Sequence, residues 1–130
     1  MRFTPKSVTY EKSFAFAIRV VKAYKWLCES KKEYVLSKQL LRSGTSIGAN
    51  VKEGFYAQSK KDFITKLTIA LKEAAESEYW IELLSAGDYL DENTAASMLE
   101  DISEIMKLLT ASVKTAKAGL KSIGENCENA

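Results

Sequence analysis

Residues 59–87 read SKKDFITKLTIALKEAAESEYWIELLSAG, and this stretch decides the fold. Phe63, Leu67, Ala70, Ala74, Ser77, Ile81 and Leu84 recur at alternating spacings of four and three, which predicts one long amphipathic helix over residues 60–86. Ser59 and Asp62 make a capping-box pattern, in which Ser59 accepts an orphan backbone N–H and Asp62 returns the bond. Gly87 stands where a C-terminal glycine stop belongs. At 1.5 Å per residue such a helix is about 40 Å long, more than a small core demands. Tyr79 and Trp80 on it, with Trp26 elsewhere, then offer apolar surface to a partner subunit.

The same periodicity extends in both directions. Upstream, Phe14, Ala17, Ile18, Val21, Tyr24 and Cys28, widened by Val20 and Leu27, predict a helix over about 8–30. Ser30-Lys31-Lys32 breaks it, and a second segment over about 33–57 carries Val35, Leu36, Leu40, Ile47 and Val51 among three glycines. Downstream, Asp91 caps a fourth segment over about 92–121, with Ala95, Met98, Leu99, Ile102, Ile105, Met106, Leu109, Val113, Ala116 and Leu120 as its stripe. Residues 124–130 are polar and expected to fray. Breaks of two to five residues force antiparallel neighbours, and no strand pattern competes. The expected fold is all-α, one domain over 1–130, an antiparallel up-down-up-down four-helix bundle.

Composition narrows the chemistry. The 130 residues include no histidine, which removes Ser-His-Asp and Cys-His catalysis, histidine-ligated zinc and the Glu-x-x-His di-iron site. Cys28 and Cys127 lie far apart with no CxxC pair, so both are expected as free thiols in a reducing cytosol. The first apolar run, 14–21, is cut by Arg19 and followed by Lys22 and Lys25, too short and too charged for an export signal or a membrane span. Net charge is +2, yet residues 1–61 hold 13 Lys/Arg against 4 Asp/Glu and residues 62–130 hold 6 against 13. That asymmetry suits complementary faces within one bundle or association between unlike surfaces.

Inside the second segment, Arg42, Ser43, Ser46, Asn50 and Glu53 occupy three-and-four positions where a bundle helix ordinarily places leucines. Folding this segment against the third around the 57–59 turn sets Arg42 level with residue 74, beside Glu73 and Glu76. A semi-buried structural ion-pair cluster of Arg42, Glu73 and Glu76 is expected, because the planar guanidinium fork suits bidentate carboxylates. Gly44 and Gly48 are expected to admit Leu67 or Ile69 of the third helix at close range. A carboxylate metal site from Glu53, Glu73 and Glu76 is disfavoured: Glu53 should lie about 15 Å from Glu73, and Arg42 competes for the ligands. No metal and no cofactor is expected.

The assembled bundle also gathers lysines. The first helix's start, the second's end, the third's start and the fourth's end share one pole carrying Arg2, Lys6, Lys12, Lys52, Lys60, Lys61, Lys66, Lys114, Lys117 and Lys121 against Glu11, Glu53 and Asp62, about +7 before the acidic tail. Lys52, Lys60, Lys61, Lys114, Lys117 and Lys121 are the candidate nucleic-acid-binding residues, acting on phosphates without base readout. No aromatic residue is interleaved with them for stacking.

The stretch 39–54, QLLRSGTSIGANVKEG, followed by Ser59, Asp62-Phe63, Ile69-Ala70 and Glu73, closely resembles the bacterial four-helix-bundle family first associated with intervening sequences inside 23S rRNA genes. The phrase LKEAAESEYWIELL over 71–84 is similar to a common branch of that family, and the likeness covers about residues 8–115. Arg42, Ser43, Ser46, Asn50, Glu53, Gly54, Asp62 and Glu73 match its signature. The resemblance implies cytoplasmic subunits that assemble into a homopentameric ring or barrel. It also implies kinship with the accessory variability determinant proteins of diversity-generating retroelements, basic pentamers that work with a reverse transcriptase and nucleic acid. No catalytic residue belongs to the family, so the expectation is a non-enzymatic homo-oligomer that binds RNA or DNA through its lysine-rich poles. The alternative is a protein-interaction scaffold without nucleic-acid binding.

Overall fold

The computed structural model describes the backbone of residues 7–129 and the side chains of residues 7–120. Four helices follow one another: α1 (Val8–Ser30), α2 (Leu36–Phe55), α3 (Lys60–Ala86) and α4 (Glu92–Asn129). α1 packs on α2, α2 on α3 and α3 on α4, while α4 closes onto α1 more lightly, so α1 and α3 stand at opposite corners of an antiparallel four-helix bundle. α4 continues past residue 121 to Asn129, so the expected frayed tail is helical there, and residue 130 lies outside the described residues. The extension holds one glycine, Gly124, and no proline, and one glycine costs a helix only about 1 kcal/mol.

Local chemistry sets the helix ends. Ser7 Oγ accepts from Tyr10 N at 3.1 Å to start α1, Ser59 Oγ from Asp62 N at 3.1 Å to start α3, and Asp91 Oδ1 from Thr94 N at 2.8 Å to start α4. The Asp62 carboxylate reaches Gln58 N at 3.4 Å rather than Ser59 N. α2 begins at Leu36, three residues later than expected, because residues 31–33 still close α1: Lys32 takes a positive φ of 54° and Glu33 N bonds Leu27 O at 3.1 Å, and Val35 offers no side-chain cap. Glu33 supplies one instead: its carboxylate accepts from the N–H groups of Val35, Leu36 and Ser37 at 3.2, 3.0 and 2.7 Å, and Ser37 Oγ donates back to the Glu33 carbonyl at 2.8 Å. Gly87 is not the left-handed stop of α3. It keeps φ −86°, and Asp88 takes the positive φ of 67° while Tyr89 N bonds Leu84 O and Asp88 N bonds Ser85 O, a Schellman closure.

The core is one cluster. α3 buries Leu67, Ala70, Ala74, Ser77, Ile81 and Leu84, as its heptad pattern predicts, with Phe63 partly buried at the rim. α4 buries Ala95, Met98, Ile102, Ile105, Leu109 and Ala116, whereas Leu120 is exposed. α1 departs from expectation. Its buried face is Ser13, Phe16, Val20 and Leu27, and Phe14, Ile18 and Val21 lie on the surface at 54%, 44% and 37% exposure.

The glycines of α2 account for that rotation. They face α1, not α3: a Cβ on Gly44 would fall 2.7 Å from Val20 Cγ2, and one on Gly48 would fall 3.6 Å from Ser13. The two backbones approach at these points, so the small Ser13 and the flat flank of Val20, rather than the bulkier Phe14 and Ile18, turn inward. Ser13 Oγ is left buried with no hydrogen-bond partner among the described residues. Gly54, further along α2, faces Phe63 and Lys66 of α3.

Two stability differences follow, both readable by denaturant unfolding. Gly44→Ala drives a methyl into β-branched Val20, which has little rotamer freedom in a helix, and should cost about 1–3 kcal/mol. Gly48→Ala meets only ordinary contact and should gain about 0.5–1 kcal/mol. Equal effects at the two positions would contradict this packing.

Glu33 gives a pH-dependent counterpart. Burial pushes its carboxyl upward, but the three backbone donors together outweigh burial and hold it below the usual range. A lowered folded-state value stabilises above the unfolded value and fades as pH falls through the folded one. Glu33→Ala should therefore cost about 1–2 kcal/mol at neutral pH, with the gap to the unsubstituted protein shrinking below about pH 4.

Candidate functional site

Two constellations are candidates: the polar face between α2 and α3, and the lysine-rich pole. On the first, Arg42 Nη2 lies 2.6 Å from Glu76 Oε2 and 3.3 Å from Glu73 Oε1, with Nη1 at 3.4 Å from Glu73 Oε2. The cluster is more open than the semi-buried one expected, since the Arg42 side chain is 51% exposed. Trp80, expected to stand exposed, packs against the core and donates Nε1–H to Glu76 at 2.9 Å. That bond, then Arg42, holds the Glu76 carboxyl below the usual range, and the bonds to Glu76 and Glu73 raise Arg42 further.

Beneath the ion pairs, the buried Ser43 Oγ and Ser77 Oγ lie 2.8 Å apart, and Ser77 Oγ lies 2.9 Å from the Glu73 carbonyl. Each hydroxyl carries one proton: Ser77 donates to Ser43, with the Glu73 carbonyl as its second acceptor within reach, and Ser43 donates on to the Leu40 carbonyl at 3.5 Å. Ser46 Oγ donates to Arg42 O at 2.6 Å and Asn50 Nδ2 to Ser46 O at 2.9 Å, which returns both side chains to their own helix. Glu53 pairs instead with Lys66 at 2.9 Å. The three glutamates therefore serve two separate cations, and among the described residues no three His, Cys, Asp or Glu side chains are grouped to hold a metal ion. The Arg42 ion pairs and the Ser43–Ser77 bond tie α2 to α3 across this face.

Exposed ion pairs contribute about 0–1 kcal/mol, so Arg42→Ala should fall within that range. Ser43→Leu, which drives a large side chain into a sealed contact, should cost about 1–3 kcal/mol, while Ser77 keeps its bond to the Glu73 carbonyl. Thermal or denaturant unfolding of the two variants checks the order.

At the pole, Lys52, Lys60, Lys61, Lys114 and Lys117 are all exposed. Lys60 Nζ stands 3.9 Å from the Cβ position of Gly119, which places the start of α3 beside α4 ten residues before that helix ends. Arg2, Lys6 and the side chain of Lys121 lie outside the described residues, as do those of Cys127, Glu125 and Glu128. Lys12 and Lys66 are engaged, with Glu104 at 3.1 Å and Glu53 at 2.9 Å. Aromatic rings do accompany the lysines: Lys52 Nζ sits 5.7 Å over the Tyr10 ring, which packs edge-on against Phe55 at 6.3 Å and beside Phe14 at 6.0 Å. No sequence spacing reveals this, because Tyr10 and Lys52 meet only across the α1–α2 contact.

The light α1–α4 seam holds a groove of about 430 Å³ lined by Arg19, Lys22, Trp26, Leu90, Asp91 and Met98. Arg19 closes it with bonds to Asp101 at 2.7 Å and Ser97 at 3.0 Å. Cys28 is a free thiol. No helix among the described residues is long and apolar enough to cross a membrane.

Residues 6–111, which hold both the polar face and most of the bundle, match the family model described as 23S rRNA-intervening sequence protein. The chain belongs to the 23S rRNA-intervening sequence protein family. A crystal structure of a protein of unknown function from the S23 ribosomal protein family of Bacteroides thetaiotaomicron is similar to it, with a TM-score of 0.81 and 53% identity over 82% of this chain and 99% of that one. No curated protein is significantly similar to the chain. The family match spans the α2 polar face, the α3 heptads and the greater part of α4, and neither comparison points to an enzyme family.

Proposed function

We propose that this family member is a non-enzymatic, cytoplasmic homo-oligomer of five copies that binds RNA or DNA phosphates through the lysine-rich pole. The observation that carries the nucleic-acid reading is the meeting of the end of α2 and the start of α3 with the stretch of α4 around Gly119. The approach of Lys60 to Gly119 and of Lys52 to Tyr10 gathers exposed lysines of α2, α3 and α4 at one end of the bundle. Such a cluster attracts a polyanion by charge and counterion release, and repetition around a ring multiplies its field. The family's name refers to an intervening sequence of 23S rRNA, which agrees with RNA as the partner class. The oligomer reading draws on the exposed apolar stripe of α1 and on the uneven charge along the chain. The five-fold count draws on the family resemblance in the sequence. A second reading, a protein-interaction scaffold without nucleic-acid binding, rests on the same stripe.

Titration of a fluorescent single-stranded RNA against salt tests the pole. Affinity should fall linearly with log salt, and replacing Lys60, Lys61, Lys114 and Lys117 by glutamate should flatten that slope by about 0.7 for each phosphate no longer neutralised. No binding at about 50 mM salt, or binding indifferent to salt, would remove the nucleic-acid reading and leave the scaffold.

A further inference from the structure

Two exposed surfaces at opposite corners of the bundle complement one another. On α1, Phe14, Ile18 and Val21 form an exposed stripe at helical spacing, with Lys22 and Lys25 exposed at its end. On α3, exposed Ala75, Tyr79, Leu83 and Ala86 form a second stripe, with Glu82 exposed and Glu78 half-buried beside it. Each stripe is one helical face wide, since Tyr79 stands outward while Ser77, Ile81 and Leu84 point to the core.

Charge distinguishes the two surfaces. No Lys or Arg occurs between residues 73 and 106, a span holding ten Asp or Glu, whereas Lys22, Lys25, Lys31, Lys32 and Lys38 crowd the α1 end and the start of α2. Arg19, Lys12 and Arg42 take up Asp101, Glu104, Glu73 and Glu76 within the subunit. Glu78, Glu82, Lys22 and Lys25 have no ion-pair partner among the described residues.

We propose that the α1 stripe of one copy docks on the α3 stripe of the next, with Lys22 and Lys25 set against Glu78 and Glu82. This rests on the reading of the chain as a homo-oligomer. The contact is heterologous: unlike surfaces at opposite corners cannot satisfy each other across a two-fold axis, so every subunit uses both faces and the assembly propagates until it closes. Opposite charge fixes the partner face, because α1 against α1 sets lysine on lysine and α3 against α3 sets glutamate on glutamate.

The test uses two full-length variants, Ile18→Glu and Tyr79→Glu, each placing a carboxylate in the apolar contact at a solvent-facing position. Mass in solution is measured for the unsubstituted protein, for each variant and for their equimolar mixture, with helicity by circular dichroism as the folding control. Each variant alone should fall to the mass of one 14.5 kDa chain. Their mixture should rise to a two-chain species and stop there, since one intact α1 stripe meets one intact α3 stripe. An unsubstituted protein that is itself monomeric defeats the homo-oligomer reading and this contact with it. An oligomeric protein whose variants keep its mass, or whose variants stay monomeric when mixed, leaves that reading standing and overturns this contact. Loss of mass in only one variant indicates a symmetric interface and overturns it equally. Should Tyr79→Glu lose helicity, Leu83→Glu takes its place with the same expectations.

Discussion

The close approach of α1 to α2 at Gly44 and Gly48 is the constraint on which the rest of the molecule depends. Two missing Cβ atoms let the backbones meet, and the meeting fixes the rotation of α1 about its own axis. With Val20 seated on Gly44 and Ser13 on Gly48, Phe16 and Leu27 complete the core. Phe14, Ile18 and Val21 then have nowhere to go but the surface. The unpartnered Ser13 hydroxyl marks what the arrangement costs, since a buried hydroxyl without a partner is unfavourable by about 1–3 kcal/mol.

The α2–α3 contact works differently. There the interface is polar from surface to core: an exposed arginine between two carboxylates, a tryptophan N–H on one of them, and a serine pair sealed underneath. Such groups add little net energy at the surface but are intolerant of sliding, because a shift of one turn parts Ser43 from Ser77 and Arg42 from Glu76 together. The small Ala70, Ala74 and Ser77 in the middle of the α3 face, between Leu67 and Ile81, can thus hold one register.

Much of this was legible in the sequence, and the reasons differ by element. α3 was legible because its apolar residues repeat on one period with nothing competing, and the family motif on α2 was legible because its polar residues interrupt an otherwise apolar face. The facing of Arg42 with Glu73 and Glu76 came from hairpin counting alone. α1 was legible as a helix but its buried face was not: it carries two apolar stripes, and periodicity cannot choose between them when the choice belongs to glycines on another helix. The Glu33 cap was hidden for a related reason, a side chain reaching three backbone donors beyond a break. The aromatic rings beside Lys52 were hidden because Tyr10 lies 42 positions away in the chain and is joined to it only by folding.

The family and its fold are therefore joined to a specific physical claim, that α1 turns the apolar stripe of Phe14, Ile18 and Val21 away from the core of its own subunit. Hydroxyl-radical footprinting of the unsubstituted protein, read residue by residue by mass spectrometry across a dilution series, tests it most directly. Phe14 and Ile18 should oxidise readily in dilute solution and become protected as concentration rises, while Phe16 and Val20 stay protected throughout. Oxidation of Phe16 as fast as Phe14 in dilute solution would contradict the claim.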